Sequence, residues 1–207
     1  GGACIYPREC PQPMKEEYLL TGYLEPTNES FAAAKIAGIK MCQAYNEQYD
    51  TNFICAVSTT IYGPNDNFDP YNSHVIPGLI RKFHEAKMKN QPGVTVWGTG
   101  TPRREFIYVD DVADVCLFLL RNYNESEIIN IGLGEDVSIK ELAYLIKEVV
   151  GYDGEIVFDP SKPDGMPRKM LDVSRLTSLG WQAKTSLTEG IRITYDWFIK
   201  HLETISD

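Results

Sequence analysis

The sequence lacks the features that mark several protein classes. Its 207 residues contain no apolar run long enough to cross a bilayer and no signal-peptide pattern, so we expect no membrane association. Only three histidines are present and there is no CxxC pair, so no metal is expected and a metal-dependent hydrolase is disfavoured. The net charge of −9 lacks the basic excess that nucleic acid requires, so we expect no nucleic-acid partner.

The cysteine pattern offers no obvious disulfide framework. The chain has five cysteines, an odd number: Cys4, Cys10, Cys42, Cys55 and Cys116. Cys42 and Cys116 lie in apolar helical patterns, and Cys55 lies in an apolar strand pattern. The simplest interpretation is that these are buried, reduced thiols of a cytoplasmic protein.

Apolar periodicity predicts helices that alternate with strands, which indicates an α/β fold. The predicted helices cover residues 31–49, 75–89, 112–123, 139–150, 174–179 and 187–202. The predicted strands cover residues 52–61, 94–97, 106–109, 128–131 and 155–158. The continuous apolar run over 52–61 is typical of a strand covered on both faces of a parallel sheet.

Local signals refine these elements. Ser138 and Glu141 form the S-x-x-E pattern of a capping box, and Asn28 or Ser30 is expected to cap the helix that follows. Residues 6–30 are rich in proline and form a long irregular connection, which in a compact domain is usually functional.

No G-x-G-x-x-G motif follows a strand and opens a helix. A dinucleotide-binding enzyme carries that motif near the start of its sheet, so we expect it upstream of Gly1. The chain begins with Gly-Gly, which suggests a fragment. Open strand edges and helix faces would then make the isolated chain marginally stable or prone to aggregate.

Four segments, in order along nearly the whole chain, carry a specific resemblance to a known family. These are CIYP with LEPTNESFAAAK, then YGPNDNFDPYNSHVIPGLIRKFHEA, then VWGTGTPRREFIYVDDVA, and then FDPSKPDGMPRKMLDVSRLTSLGW. Together they resemble the GDP-L-fucose synthases, which are extended short-chain dehydrogenases/reductases of the NAD-dependent epimerase/dehydratase family.

The resemblance implies an incomplete Rossmann-like parallel sheet and a smaller α/β substrate-binding domain. Residues 1–62 and 105–135 are expected in the cofactor domain, and residues 63–104 and 136–207 in the substrate domain. The family epimerises GDP-4-keto-6-deoxy-D-mannose at C3 and C5 and then reduces the 4-keto group with NADPH to give GDP-L-fucose. The implied partners are a GDP-sugar substrate and a second copy in a homodimer.

Epimerisation beside a ketone needs a base on one face and an acid on the other. The family uses a Cys and a His, which match Cys4 and His74 here. Both side chains exchange protons near neutral pH. Taken singly, Cys4 could be an inert thiol at a strand end, and His74 could cap the next helix.

The reducing centre departs from the family pattern. The family uses a Tyr four residues before a Lys, a spacing that puts both on one helix face. Lys35 matches the Lys, but Phe31 occupies the Tyr position, and Gly2 replaces a Ser that bonds the substrate carbonyl. The resemblance therefore implies an enzyme impaired in reduction, unless Tyr6, Tyr18, Tyr23 or a water replaces the lost donor.

Further residues match the family's binding positions. Pyrophosphate contacts are implied for Lys82, Arg104 and Lys162, a sugar or base contact for Trp97, and a hydroxyl or base acceptor for Asp159. Cofactor contacts are implied for Lys35, Ser58, Thr59, Thr60, Ile61 and His74. Each has a plainer interpretation: a solvated helix face for Lys82, a surface ion pair for Arg104 and core packing for Trp97.

Two alternatives to the epimerase/reductase stay open. One is an epimerase-only relative that binds another GDP-4-keto sugar, and the other is a non-catalytic fragment that binds a GDP-sugar or serves as a structural module.

Overall fold

The computed structural model describes residues 1–202 and shows a mixed α/β chain. The helices are α1 (Glu29–Tyr49), α2 (Val75–Met88), α3 (Val109–Asn122), α4 (Ile139–Val150), α5 (Ser174–Ser178) and α6 (Leu187–Lys200). The strands are β1 (Ala56–Ser58), β2 (Thr60–Tyr62), β3 (Gly93–Trp97), β4 (Arg103–Arg104), β5 (Phe106–Tyr108), β6 (Ile129–Ile131), β7 (Val137–Ser138), β8 (Glu155–Asp159) and β9 (Arg168–Lys169). The predicted α/β class is confirmed.

The predicted capping box at the start of α4 is confirmed. The Ser138 hydroxyl accepts from the Glu141 amide at 3.1 Å, and the Glu141 carboxylate accepts from the Ser138 amide at 2.7 Å. Gly151 ends the helix with a φ of +68°, a left-handed conformation that glycine adopts without strain.

The predicted cap of α1 is wrong. Asn28 precedes the helix, but its side chain makes no capping hydrogen bond, and Ser30 lies inside the helix. The reason is that the 3-10 turn Pro26–Asn28 winds directly into α1. Asn28 therefore has a ψ of 8° instead of the extended backbone that a capping side chain needs.

The predicted strand over 52–61 is shorter than expected and interrupted at Thr59. The Thr59 amide donates to Ile131 O at 2.9 Å, and its hydroxyl donates to Glu105 O at 3.0 Å. Thr59 therefore separates β1 from β2.

The chain forms two compact units. Unit 1 comprises Gly1–Ile61, Glu105–Asp136 and Arg168–Lys184, and unit 2 comprises Tyr62–Arg104, Val137–Pro167 and the chain from Thr185. The segment Arg168–Lys184 thus lies with unit 1, whereas the sequence places it in the substrate domain. Leu171, Leu176 and Trp181 explain this, because their apolar neighbours all belong to unit 1.

Unit 1 is built on parallel pairing. β1 pairs with β6, with Ala56 opposite Ile129, and a parallel bridge joins Gly2 to Ser58. Helix α1 buries Ala32, Ile36 and Ile39. The carboxyl ends of these parallel segments therefore share one edge, which is where α/β proteins bind their ligands.

Two buried polar side chains fasten the segment Arg168–Lys184 into unit 1. The Glu105 carboxylate accepts from the amides of Leu133, Gly134 and Leu171 at 2.7, 2.8 and 2.9 Å. The Asn130 amide nitrogen donates to Asp172 O at 3.0 Å and to Met14 O at 2.9 Å. Because each buried group has its partners, these polar atoms stabilise the unit.

Unit 2 packs helices against a parallel strand pair. β3 pairs with β8 in a register that sets Trp97 opposite Asp159. Helix α4 packs against α2 and α6. Phe68 lies against Phe198, with ring centroids 4.8 Å apart, and Phe83 lies against Tyr152 at 5.7 Å.

The prediction of buried thiols holds for Cys55 and fails for Cys116. Cys55 is buried, and burial raises the pKa of its thiol to about 11. Cys116 is exposed because it lies on the outer face of α3, whose buried residues are Asp111, Val115 and Leu119.

Within residues 1–202, no helix is both long and apolar enough to span a bilayer.

Candidate functional site

Trp97 forms the centre of the candidate site in unit 2. It ends β3, where Val94 and Val96 are buried and the alternate residues are not. Trp97 points away from the core, and 65% of its surface is exposed. Core packing is therefore the wrong interpretation of this tryptophan, and an exposed indole at a strand end is available to a ligand.

Two lysines flank the Trp97 ring. The Lys82 Nζ, from α2, lies 5.3 Å from the ring centroid, and the Lys162 Nζ, from the loop after β8, lies 5.7 Å from it. Both distances suit cation–π attraction. Burial lowers the pKa of Lys82, so its ammonium is less hydrated than one on an open helix face. The two ammonium groups can bind an anion, and the indole can contact a base or sugar ring attached to that anion.

Asp159 lies opposite Trp97 in the β3–β8 pair, and Arg104 belongs to the same unit. Oδ1 of Asp159 accepts from the Ser161 hydroxyl at 2.6 Å and from the Ser161 amide at 3.0 Å, and these bonds lower the pKa of Asp159. Arg104 is half-buried in β4, and burial lowers the pKa of its guanidinium while the charge of Asp164 opposes that shift. Oδ1 of Asp159 therefore already accepts two hydrogen bonds within its own turn.

Sequence reasoning missed a contact between Thr99 and Asp164, which lie 65 residues apart. The Thr99 amide donates to Asp164 Oδ1 at 2.7 Å, and the Thr99 hydroxyl donates to Oδ2 at 2.8 Å. The G-T-G run and the KPDG run each signal a turn, but neither reveals that the two turns meet.

His74 is the residue that directly precedes α2 in unit 2. Its backbone is extended, with φ of −69° and ψ of 168°, and its side chain makes no capping hydrogen bond. Capping is therefore the wrong interpretation, and the imidazole is exposed. Sequence reasoning also missed Asp66. Burial raises the pKa of its carboxyl, and the hydrogen bond from the Asn67 amide and the charge of His74 offset only part of that rise.

Cys4 lies in unit 1, in the 3-10 turn Ala3–Ile5 that follows the Gly2–Ser58 bridge. The turn therefore starts at the carboxyl edge of the parallel segments. The Cys4 thiol is partly buried and lies 3.8 Å from Gly2 O. A Cβ added at Gly2 would lie 3.9 Å from the Cys4 sulfur, an ordinary contact, so a serine would fit there.

The residues matched to cofactor contacts differ in exposure. Ser58 and Thr60 are half-buried, and Ile61 is exposed. Thr59 is buried and its hydroxyl is bonded to Glu105 O, so a side-chain contact from Thr59 to a ligand would cost that bond.

Phe31 and Lys35 share one face of α1, and the Lys35 Nζ lies 5.2 Å from the Phe31 ring centroid. Phe31 is exposed, so the place of the missing hydroxyl is open to solvent. Tyr6 cannot supply that hydroxyl, because it is buried and donates to Asn130 Oδ1 at 2.6 Å. Burial also raises the pKa of Tyr6.

The structure thus brings together Lys82, Trp97 and Lys162 in unit 2, and Phe31 and Lys35 in unit 1. It places Cys4 and Ser58 at the same strand edge of unit 1.

Comparison with known proteins supports one family. A model of the NAD dependent epimerase/dehydratase family matches residues 1–132. GDP-L-fucose synthase 1 of Arabidopsis thaliana is 56% identical over 202 residues, which cover 98% of this chain and 62% of that relative. The chain therefore spans less than two thirds of the length of this curated relative.

Solved structures agree with the sequence matches. A GDP-6-OMe-4-keto-L-xylo-heptose reductase from C. jejuni superposes with a TM-score of 0.90 at 40% identity, covering 97% of this chain and 69% of its own. A GDP-L-fucose synthetase from Naegleria fowleri, solved with NADP bound, gives a TM-score of 0.92 at 31% identity, covering 98% and 65%.

Proposed function

The chain belongs to the NAD dependent epimerase/dehydratase family, and we propose that it forms part of an NADPH-dependent enzyme that converts GDP-4-keto-6-deoxy-D-mannose to GDP-L-fucose. The observation that carries the proposal is the exposed Trp97 with the ammonium groups of Lys82 and Lys162 beside its ring. The identity to GDP-L-fucose synthase 1 of Arabidopsis thaliana supports the choice of sugar.

Unit 2 binds the nucleotide part of the substrate in this proposal. The ammonium groups of Lys82 and Lys162 and the guanidinium of Arg104 hold the pyrophosphate, because charge-assisted hydrogen bonds to phosphate oxygens are strong. Trp97 contacts the sugar or base through its exposed ring. The Asp159 carboxylate also accepts a hydrogen bond from a sugar hydroxyl or from an N–H of the base.

Cys4 and His74 carry the epimerisation. The protons at C3 and C5 are acidic because each carbon adjoins the C4 ketone. One of the two side chains removes a proton from carbon, and the other returns a proton to the opposite face, so the configuration inverts without any net redox change. The partly buried thiol of Cys4 and the exposed imidazole of His74 both permit this exchange.

NADPH, when bound, supplies the hydride that reduces C4. The carboxyl end of β1 at Ser58 and the exposed Lys35 fit part of such a cofactor, since a Lys can bond the ribose hydroxyls. Proton delivery to the C4 oxygen is the weak step, because Phe31 has no hydroxyl and Gly2 has no side-chain donor. We therefore propose that reduction is impaired relative to epimerisation, and Phe31 makes epimerisation alone the second candidate function.

The test separates binding, epimerisation and reduction. The chain is titrated with GDP and then incubated with the 4-keto sugar nucleotide in D₂O. We expect GDP binding that weakens roughly tenfold in Trp97→Ala, together with deuterium uptake at C3 and C5 that is lost in Cys4→Ala and His74→Ala. NADPH oxidation, measured in parallel, should be much slower than deuterium uptake.

Two results would contradict the proposal. Failure of the folded chain to bind GDP would remove the sugar-nucleotide site. Deuterium uptake that persists in both Cys4→Ala and His74→Ala would remove the assigned acid and base. A matched control is Tyr144→Ala, which removes an exposed aromatic ring elsewhere in unit 2 and should leave GDP binding unchanged.

Two further assignments complete the proposal. We place the enzyme in the cytoplasm, because all five cysteines are free thiols. We also propose a homodimer, on the grounds of the exposed aromatic residues Tyr45 and Tyr49 of α1.

A further inference from the structure

The loop 63–73, which leads into α2, is folded back on itself by its own polar side chains. The side-chain nitrogen of Asn67 donates to Asn72 O at 3.5 Å, and Asp69 Oδ1 accepts from the Asn72 amide at 2.8 Å. Phe68 anchors the loop with a buried ring. Because residues 67 and 72 meet, the residue that precedes the first comes close to the residues that open α2.

Asp66 has an unpartnered oxygen in this loop. Its Oδ1 accepts from the Asn67 amide at 2.7 Å, whereas its Oδ2 is buried and has no hydrogen-bond partner within residues 1–202. A buried acceptor without a donor costs free energy, so folded proteins rarely retain one. The position of Asp66 therefore suits a donor that reaches Oδ2 in another state of the protein.

His74 can supply that donor from the other end of the same loop. The positive charge of His74 lowers the pKa of the Asp66 carboxyl against the effect of burial, so the two side chains lie close enough to interact. Across the described residues, the His74 ring makes no hydrogen bond, and the side chain is exposed and free to turn. An unused N–H and an unused carboxylate oxygen thus belong to one loop of unit 2.

The other charged groups of this loop and of α2 are engaged elsewhere. Asp69 accepts from backbone amides of its own turn, and the Arg81 Nε lies 2.8 Å from a carboxylate oxygen of Glu85. Within the part of the chain that the structure describes, His74 is the only charged side chain that acts on the pKa of Asp66.

We propose that Asp66 is a positioning residue for His74, and that in the substrate complex its Oδ2 accepts a hydrogen bond from one ring nitrogen of His74. Such a bond fixes the tautomer and the orientation of an imidazole, which leaves the other nitrogen to exchange a proton with the sugar. Hydrogen bonds of this kind are often poorly aligned without substrate and tighten when it binds. The inference rests on the proposed epimerisation and goes further by naming the group that orients its imidazole.

The kinetic test follows deuterium uptake at C3 and C5 in D₂O without NADPH. Asp66→Ala should lower kcat at least about tenfold and leave KM within about twofold, because Asp66 acts on proton transfer and not on binding. Asp66→Ser keeps an oxygen for the Asn67 amide but none at the Oδ2 position, so it should lose as much. Asp66→Asn retains an acceptor for the imidazole and should stay within about threefold of the wild-type kcat.

Nitrogen-15 NMR of the imidazoles separates positioning from a merely structural role. The chain has three histidines, so the signals of His74 are assigned by comparison with His74→Gln. The complex is measured without NADPH, at a pH where the ring is neutral. His74 should show a single tautomer in the wild type and in Asp66→Asn, and a mixture of both tautomers in Asp66→Ala. Asp153→Ala, which removes an exposed carboxylate elsewhere in unit 2, should change neither the tautomer nor kcat.

The outcomes distinguish this inference from the proposed function. If the wild type takes up no deuterium, the proposed epimerisation fails and the inference fails with it. If uptake is lost in His74→Ala but proceeds at the wild-type rate in Asp66→Ala and Asp66→Ser, the inference alone is overturned. A single, unchanged tautomer of His74 in Asp66→Ala would also overturn it, because a loss of kcat would then come from a disturbed loop.

Discussion

At the scale of single residues, the proposed reducing centre has Phe31 at the position where the family pattern has a tyrosine. Lys35 is retained and Phe31 stands one helical turn before it, with the Lys35 Nζ 5.2 Å from the ring. The backbone therefore still presents the spacing that a Tyr–Lys pair needs. What is missing is a hydroxyl, and the exposed ring leaves room to add one.

Phe31→Tyr should create a tyrosine with a lowered pKa. The Lys35 Nζ lies 5.2 Å from the ring centroid at position 31, and its positive charge favours the tyrosinate form, so the pKa of this tyrosine should lie below the ordinary tyrosine value. Ultraviolet difference titration against the wild-type chain would measure this one added phenol. In the double variant Phe31→Tyr with Lys35→Met, the pKa should return to the ordinary tyrosine value. Equal pKa values in both variants would mean that Lys35 does not act on position 31.

At the scale of elements, the two helix starts provide a matched pair. Ser138 caps α4 through its hydroxyl, whereas the Asn28 side chain makes no capping bond to α1. Ser138→Ala should therefore lower the free energy of unfolding by about 1 kcal/mol, and Asn28→Ala should change it by only a few tenths. Chemical denaturation of the two variants checks this. A loss at Asn28 as large as that at Ser138 would contradict the cap assignment.

The sequence predicts the long elements well because their signals are local. Helices α2 and α4 follow from apolar spacing, and the start of α4 follows also from the capping box of Ser138 and Glu141. Strands β4, β7 and β9 have two residues each, too few to show an alternation. Such short strands form only because distant segments pair, so no local pattern could predict them.

The same limit applies to the candidate site. Cys4, His74 and Trp97 could be named because their neighbouring residues match family motifs. The partners of these residues could not be named, since the contact between Thr99 and Asp164 joins two turns far apart in sequence. A carboxylate that fastens one loop to another leaves no periodic signal in the sequence.

At the scale of the whole molecule, the exposed apolar residues of unit 1 are concentrated on two helices. On α1, Met41, Tyr45 and Tyr49 recur every four residues and are exposed, and Tyr45 lies 5.4 Å from Tyr49 between ring centroids. On α3, Leu117 and Leu120 are more than half exposed. Exposed apolar side chains that cluster on helices in this way are typical of protein–protein interfaces. The second copy of the chain that the family implies is the partner we assign to it.

The chain should therefore be a dimer of about twice 23.4 kDa in light scattering after size exclusion. The double variant Tyr45→Lys with Leu120→Lys should be monomeric, because burying two ammonium groups in an apolar interface costs more than the interface gains. Met88→Lys is the matched control, since Met88 is equally exposed but lies on α2 in unit 2. It should remain dimeric. A monomeric wild type, or a dimer that survives both lysines, would show that these helices do not form the interface.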